Sequence, residues 1–455
     1  MKSCDFLFIY EIKPREIESV LLLKKELERR GYSVMIEHMW SQSRRTSQID
    51  AKVVITSSAL DDVLFNYVNE IAYKPLKVID MQWEQVLSDH DVEGYSRIKE
   101  NNSLARNAVH LSWGPLNKKR LVSLCGVPEK NVIVTGNVAM DFLRPEYRSY
   151  YGSREDICRE FGLDASKEIV MFISSFAYLS IKEEDFNDER YKALGYDVLC
   201  RIMKDASIKS QKTLLEWFDK ALKNDTKHEF VYRPHPGEMS NETLLKFERE
   251  HDNFHIITNY SVKQWILTAD KLYTWVSTSI IEAYMAKRHC MIIRPYEIPR
   301  QFDTEIYHDS EMITSYDEFI KSFSSNDCRA DHFSFDKFPI PEKAFDDFFS
   351  IDEKIPTYKR MCDIFEDIYK NDRYIIKNQE KIQKKKYSLK KRTVILVRRY
   401  ASVSPFLYLL SKINKNSKIA SVVKNNRENR LKYKKGIASK AEIESTEQKI
   451  SKVFY

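Results

Sequence analysis

"HEFVYRPHPGEMS", residues 228–240, runs an apolar strand pattern straight into Arg233, Pro234, His235, Pro236, Gly237 and Glu238. Two prolines forbid the strand from continuing, so Arg233 and His235 stand on a rigid turn at its carboxyl end. That end of an open α/β sheet is where ligands bind. An arginine offers a planar donor fork for phosphate, and a histidine donates to a phosphate oxygen or carries a proton. A surface turn that merely contains a histidine fits the same residues.

A second stretch, "ADKLYTWVSTSIIEAYMAK" (269–287), passes from Asp270 through a strand to Ser277, Thr278 and Ser279 and then into a helix. Hydroxyls and unpaired N–H groups at a helix start form an anion site. Glu282 follows within the first turn, where it can accept hydrogen bonds from ribose hydroxyls. The same spacing also describes a capping box, with the serines as N-caps and Glu282 closing the box.

Both motifs sit inside a strand–helix rhythm. "DFLFIYE" precedes "PREIESVLLLKKELERRG", in which Ile17, Val20, Leu21, Leu23 and Leu27 fall near helical spacing. Further short runs, "YSVMIEH", "AKVVITS", "LKVIDMQ" and "NAVHLSWG", are separated by helical or polar stretches, which predicts parallel strands with crossover helices. A second series starts at "KEIVMFISSFAYLS" (167–180) and continues to "CMIIRP". The reading is two Rossmann-like domains, residues 1–145 and 146–356, facing a cleft. Residues 357–375 form a helix returning to the first domain, and residues 376–455 a basic tail. No GxGxxG or GxxxxGK[ST] occurs, which removes the common dinucleotide and P-loop readings.

The chain has 455 residues, enough for two cores. Its seven cysteines are scattered, without CxxC or zinc spacing, which argues for a reducing compartment and against a structural metal. The first residues, "MKSCDFLFIYEIKPRE", read as a strand rather than a signal peptide, and no run reaches the length of a membrane span.

The two motifs together resemble the donor half of a GT-B glycosyltransferase. The resemblance is to bacterial sialic acid and Kdo transferases and to CDP-glycerol polymerising transferases. "IYEIKPREIESVLLLKKELERRGYSV", "VIDMQWEQVLS" and "WGPLNKKRLVSLCGVPEKNVIVTGN" are similar to bacterial surface carbohydrate biosynthesis proteins, and the likeness runs in order over roughly residues 1–300. It implies that His235, Ser277 and Thr278 bind the nucleotide of a donor, with no metal and no cofactor. Two departures stand out. Lys287 and His289 replace the Gly and Pro that usually end the helix carrying Glu282. "DVEG" (91–94) is a poor match to the motif that carries the base in polysialyltransferases. Position therefore supplies the candidate bases. Glu11 closes the first strand ahead of Arg15 and Glu16, and Glu84 follows "LKVIDMQ" beside Trp83. Both also fit solvated strand-end charges.

Net charge is +7, yet residues 371–440 hold 21 Lys/Arg against 3 Asp/Glu, or +18, which leaves −11 for the rest. Within the tail, Leu389, Thr393, Leu396, Val397 and Tyr400 share a helical face, while Lys390, Lys391, Arg398 and Arg399 lie largely elsewhere. This pattern predicts an interfacial helix on anionic lipid. The body has no nucleic-acid motif, which disfavours the competing reading of a basic tail.

These readings predict a metal-independent GT-B enzyme, peripheral on the cytoplasmic face of the inner membrane. It moves a sugar from a nucleotide-activated donor, a CMP-sugar foremost, to a growing capsule or lipopolysaccharide glycan or a lipid-linked acceptor. A CDP-glycerol or CDP-ribitol phosphotransferase, a UDP-sugar 2-epimerase-like enzyme and a non-enzymatic assembly scaffold remain alternatives.

Overall fold

The computed structural model describes residues 2–39, 49–59, 77–93, 104–182, 184, 186, 192, 196–238, 242–376, 409, 412 and 436–455. The chain divides into two units. The first comprises Met1–Gln85, Gly94–Asp141 and Asp346–Tyr455; the second comprises Val86–Glu93 and Phe142–Phe345.

The first unit is built on a six-stranded parallel sheet in the order β2-β1-β3-β4-β5-β6. Its strands are β1 (Lys2–Tyr10), β2 (Val34–His38), β3 (Ile49–Thr56), β4 (Lys77–Asp80), β5 (Val109–Ser112) and β6 (Val132–Val134). β1 lies between β2 and β3, with Phe6 in register with both Val34 and Val53. A parallel strand is covered on both faces, which is why residues 6–10 form an unbroken buried run instead of an alternating one. Helix α1 (Lys13–Arg29) follows. Pro14 lies in its first turn, and Gly31 beyond its end takes φ +92°, the left-handed region that favours glycine.

Two later segments pack on α1. The helix Thr357–Lys370 lies against it, with Arg30 paired to Asp363 at 2.6 Å and Glu366 at 3.0 Å. The helix Lys440–Phe454 does the same through Lys13–Glu442 (2.8 Å) and Lys24–Glu447 (2.7 Å). Tyr10 receives the Ala438 N–H on its hydroxyl at 2.9 Å, and Phe454 meets Tyr358 edge to face. Residues 436–455 are therefore part of the first unit, which corrects the reading of 376–455 as one basic membrane-associating tail. The basic excess stops at Lys440. Beyond it Glu442, Glu444 and Glu447 pair with α1 or their own helix, and Ile450 and Phe454 are buried. The amphipathic pattern at 389–400 lies outside the described residues. Among the described residues, no helix is long and apolar enough to cross a membrane.

Asp346 marks the chain's return to the first unit. Gly114 is required there, because a Cβ at that position would come within 2.3 Å of the Phe348 backbone.

The second unit has a five-stranded parallel sheet in the order β11-β10-β7-β8-β9. These strands are β7 (Glu168–Ile173), β8 (His228–Arg233), β9 (Phe254–Ile256), β10 (Lys271–Thr274) and β11 (Met291–Ile292). Ile173 is in register with both Arg233 and Thr274, so β7, β8 and β10 end at one level. Phe172, Phe218, Phe230, Tyr232, Trp275 and Phe319 belong to the aromatic core beneath that edge. Val86–Glu93 is held to this unit by an antiparallel bridge between Ser88 and Thr304 and by the Glu305 N–H to the Leu87 carbonyl.

Candidate functional site

The common carboxyl edge of β7, β8 and β10 carries both motifs. After β8 the chain makes a turn in which the Glu238 N–H donates to the His235 carbonyl at 2.8 Å. Pro236 and Gly237 are its central residues, a sequence suited to a tight turn. His235 is exposed, and its Nδ1 accepts the Gly237 N–H at 3.0 Å. In the neutral ring the proton is thereby left on Nε2. A Cβ on Gly237 would stand 3.2 Å from that Nδ1, tighter than side chains normally pack.

Glu238, which the sequence reading passed over, holds this turn from below. Its buried carboxylate accepts from the Tyr232 hydroxyl at 2.8 Å, Gln211 Nε2 at 3.1 Å, the His235 N–H at 3.3 Å and the Ser174 hydroxyl. Burial raises its pKa, against the pull of those donors.

Arg233, which its motif offers to a phosphate, is engaged within the fold. Its guanidinium donates to the Asn259 carbonyl at 2.9 Å and to the Tyr260 carbonyl, fastening the loop after β9. Burial lowers its pKa to about 10.

After β10 the backbone turns through Ser277, Thr278 and Ser279 into the helix Ile280–Met285. The Ser277 N–H donates to Thr274 Oγ1, and Ser277 Oγ accepts the Ser279 N–H, both at 3.3 Å. Tyr307 fixes the turn by donating its hydroxyl to the Ser277 carbonyl at 2.5 Å. Arg294 lies over the Tyr307 ring, 5.3 Å from its centroid, and forms a buried two-point pair with Asp303 at 2.7 and 3.2 Å. Tyr307, Arg294 and Asp303 carried no sequence signal, since they act through residues far along the chain.

The capping-box alternative for Glu282 is not what forms. Ser279 occupies the N-cap without a side-chain cap bond, in a helix of only six residues. Glu282 is half-buried; burial raises its pKa, with the Lys263 charge opposing. Beyond its end, Lys287 adopts φ +54°, the conformation a glycine would supply, so the turn survives the replacement. Its ammonium sits 4.2 Å from the Phe335 ring centroid and 5.1 Å from that of Tyr284. The His289 N–H donates to Ala330.

In the first unit, Glu11 follows β1 and Glu84 follows β4. Burial raises the Glu11 pKa, Arg15 opposes, and Glu84 reinforces. Glu84 is exposed and paired to Arg15 at 3.1 Å, while Arg15 also donates to Glu16 at 3.0 Å. Before Glu84 the chain passes through Gln82 at φ +38°, its N–H held by Asp80 at 3.1 Å. The structure thus brings Glu11 and Glu84 into one charged group with Arg15 and Glu16. Among the described residues, no group of acidic, histidine and cysteine side chains is arranged to hold a metal ion.

Neither a family model nor a curated protein matches the sequence. Solved structures do match. The wall teichoic acid polymerase TagF is 13% identical with a TM-score of 0.51, over 80% of this chain and 89% of that one. A TagF variant soaked with CDPG is 13% identical with a TM-score of 0.50 and the same coverage. The UDP-GlcNAc 2-epimerase of Neisseria meningitidis bound to UDP-GlcNAc is 12% identical with a TM-score of 0.47, over 81% and 100%. At such identities the TagF likeness is one of fold, and the two parallel α/β units have the GT-B architecture.

Proposed function

We propose that the chain is a GT-B glycosyltransferase that moves a sugar from a nucleotide-activated donor, with a CMP-sugar as the leading donor, onto a bacterial surface glycan or lipid-linked acceptor. The observation that carries this is the edge of the second sheet. There an exposed histidine on a braced turn stands with a hydroxyl turn and a half-buried carboxylate beyond the ends of the two strands that flank β7. His235 and the hydroxyls of Ser277, Thr278 and Ser279 receive the donor phosphate, and Glu282 receives ribose hydroxyls. Arg233, at the end of β8, supports the site by fastening the loop after β9.

In the reaction the acceptor hydroxyl attacks the anomeric carbon, and the bond from that carbon to the phosphate oxygen breaks. The nucleotide leaves with the electron pair, its charge met by the His235 donor. The hydroxyl proton passes to a carboxylate. Glu11 suits that role better than Glu84, because burial moves its pKa toward the working range of a general base. The excess of +18 over residues 371–440 supports a station on the anionic inner face of the membrane.

A thermal-shift panel of CMP, CDP, UDP and GDP tests the reading. A specific nucleotide stabilises by about 2.7 kcal/mol at a hundred times its dissociation constant. CMP or CDP is expected to shift the transition and UDP and GDP not to; no shift with any of the four removes the reading.

One rival has support from the fold comparison, a CDP-alcohol phosphotransferase, since TagF is named a polymerase of wall teichoic acid. Both reactions release CMP. Phosphorus NMR of the product separates them, because only the rival builds a new phosphodiester.

A further inference from the structure

We infer that Glu238 is a positioning residue that holds His235 in its Nε2–H tautomer and so aims a single donor at the ligand. This rests on the nucleotide-binding reading of His235.

An imidazole in water exchanges freely between two neutral tautomers, and only one presents its proton on Nε2. Here the choice is made by the Gly237 N–H, which donates to Nδ1 at 3.0 Å. That contact exists only while the turn through residues 235–238 keeps its shape. Two bonds close it, the Glu238 N–H to the His235 carbonyl at 2.8 Å and the His235 N–H to Glu238 Oε2 at 3.3 Å.

Glu238 can hold the turn because its own carboxylate is immobilised. Oε1 takes the Tyr232 hydroxyl at 2.8 Å and Gln211 Nε2 at 3.1 Å, and Oε2 takes the Ser174 hydroxyl. Tyr232 comes from β8, Ser174 follows β7, and Gln211 lies on the helix Tyr196–Leu222. Three separate elements are thus tied to one carboxylate beneath one exposed ring. Burying a carboxylate with four donors costs desolvation that an apolar residue would avoid, so packing alone gives no reason for it. Gly237 completes the device, since a larger residue would press on Nδ1.

The test uses the full chain with nitrogen-15 histidine at pH 8, where a neutral ring is observed. Ring nitrogen shifts report the tautomer, and CMP titration reports affinity. In the wild type, Nε2 is expected to carry the proton almost exclusively. Glu238→Ala should give a tautomer mixture and weaken CMP binding about tenfold, while Glu238→Gln, which keeps an acceptor oxygen toward the His235 N–H, should retain most of both. Should Glu238→Ala fail to fold, Glu238→Asp keeps the charge but falls short of one side of the network and should also mix the tautomers. A folded Glu238→Ala or Glu238→Asp protein with wild-type ring shifts and wild-type CMP affinity overturns the inference. A changed tautomer with unchanged CMP affinity upholds the positioning role and instead overturns the assignment of His235 to the nucleotide.

Discussion

Oε2 of Glu16 accepts the backbone N–H of Glu11 at 2.8 Å, and Oε1 of the same carboxylate accepts the Ile12 N–H at 3.2 Å. Glu16 is fully buried, whereas the two carboxylates singled out as candidate bases differ: Glu11 is partly buried and Glu84 exposed. α1 has no side-chain bond at its N-cap, Ile12, so Glu16 reaches back to do the work of a cap. The entry to α1 is thereby rigid, and Glu11 stands on it.

This separates the candidate bases experimentally. Glu11→Gln should lower the transfer rate about a hundredfold, within the range of a lost general base. Glu84→Gln removes an exposed charge paired to Arg15 and should change the rate only a few-fold. Steady-state kinetics on both variants decides between them, and the reverse ranking would move the base to Glu84.

His235→Ala should abolish detectable transfer, a loss of at least about a hundredfold. The ring is exposed, so the melting temperature should stay within about 2 °C of wild type, as for other surface substitutions. Near-normal turnover in a well-folded variant would remove His235 from the mechanism.

For Glu282, burial and raised pKa give the sign. A carboxyl whose folded pKa lies above its unfolded value of 4.5 favours the folded state below 4.5 and loses that benefit as pH rises through the folded value. At neutral pH its charge is a cost, so Glu282→Gln should leave the melting temperature unchanged or raise it. Nucleotide affinity should fall at least about tenfold, the loss of a hydrogen bond to a charged group. Calorimetric titration with CMP beside a melting curve reads both; lowered stability with intact affinity would make Glu282 structural.

The C-terminal region should divide in two. Removing residues 436–455 takes away Ile450 and Phe454, each worth about 1.5–3 kcal/mol of burial, and should lower stability measurably in urea. Replacing 377–435 by a short flexible linker should spare stability but release the protein from anionic vesicles. The docked helix also has a pH signature. The bond from Lys13 and the Ser439 N–H lower the Glu442 pKa from 4.5 to about 2, so its contribution is present above 4.5 and fades as pH falls toward 2. Vesicle binding that survives loss of 377–435 would locate the lipid contact elsewhere.

Much of the fold was legible because its signals are local. Prolines stop β8 wherever they occur, and apolar runs of strand length between helical patterns read as parallel strands. What escaped depends on distant partners. Arg233 was legible as a strand-end cation, but its use on the carbonyls of 259 and 260 depends on how the loop after β9 returns. Glu238 looked like one more turn residue, because Ser174 and Gln211 lie 64 and 27 positions away. Lys287 reads in sequence as a lost glycine, and only the backbone shows that a lysine can occupy φ +54° while its ammonium rests on aromatic rings. The last helix was hidden by arithmetic, since a charge sum over 371–440 says nothing about a neutral amphipathic segment that begins where the sum ends.

The threading of the first unit has a consequence during synthesis. α1 is translated before the second unit, yet the helices that pack on it, Thr357–Lys370 and Lys440–Phe454, emerge after the whole of Phe142–Phe345. Domains ordinarily mature in the order of translation. Here the second unit, nearly continuous in sequence, can close first, while α1 waits without the two helices that pack on it. That interval is when a nascent chain of this kind most needs a chaperone, and a truncation that spares every residue of the proposed site would still prolong it indefinitely.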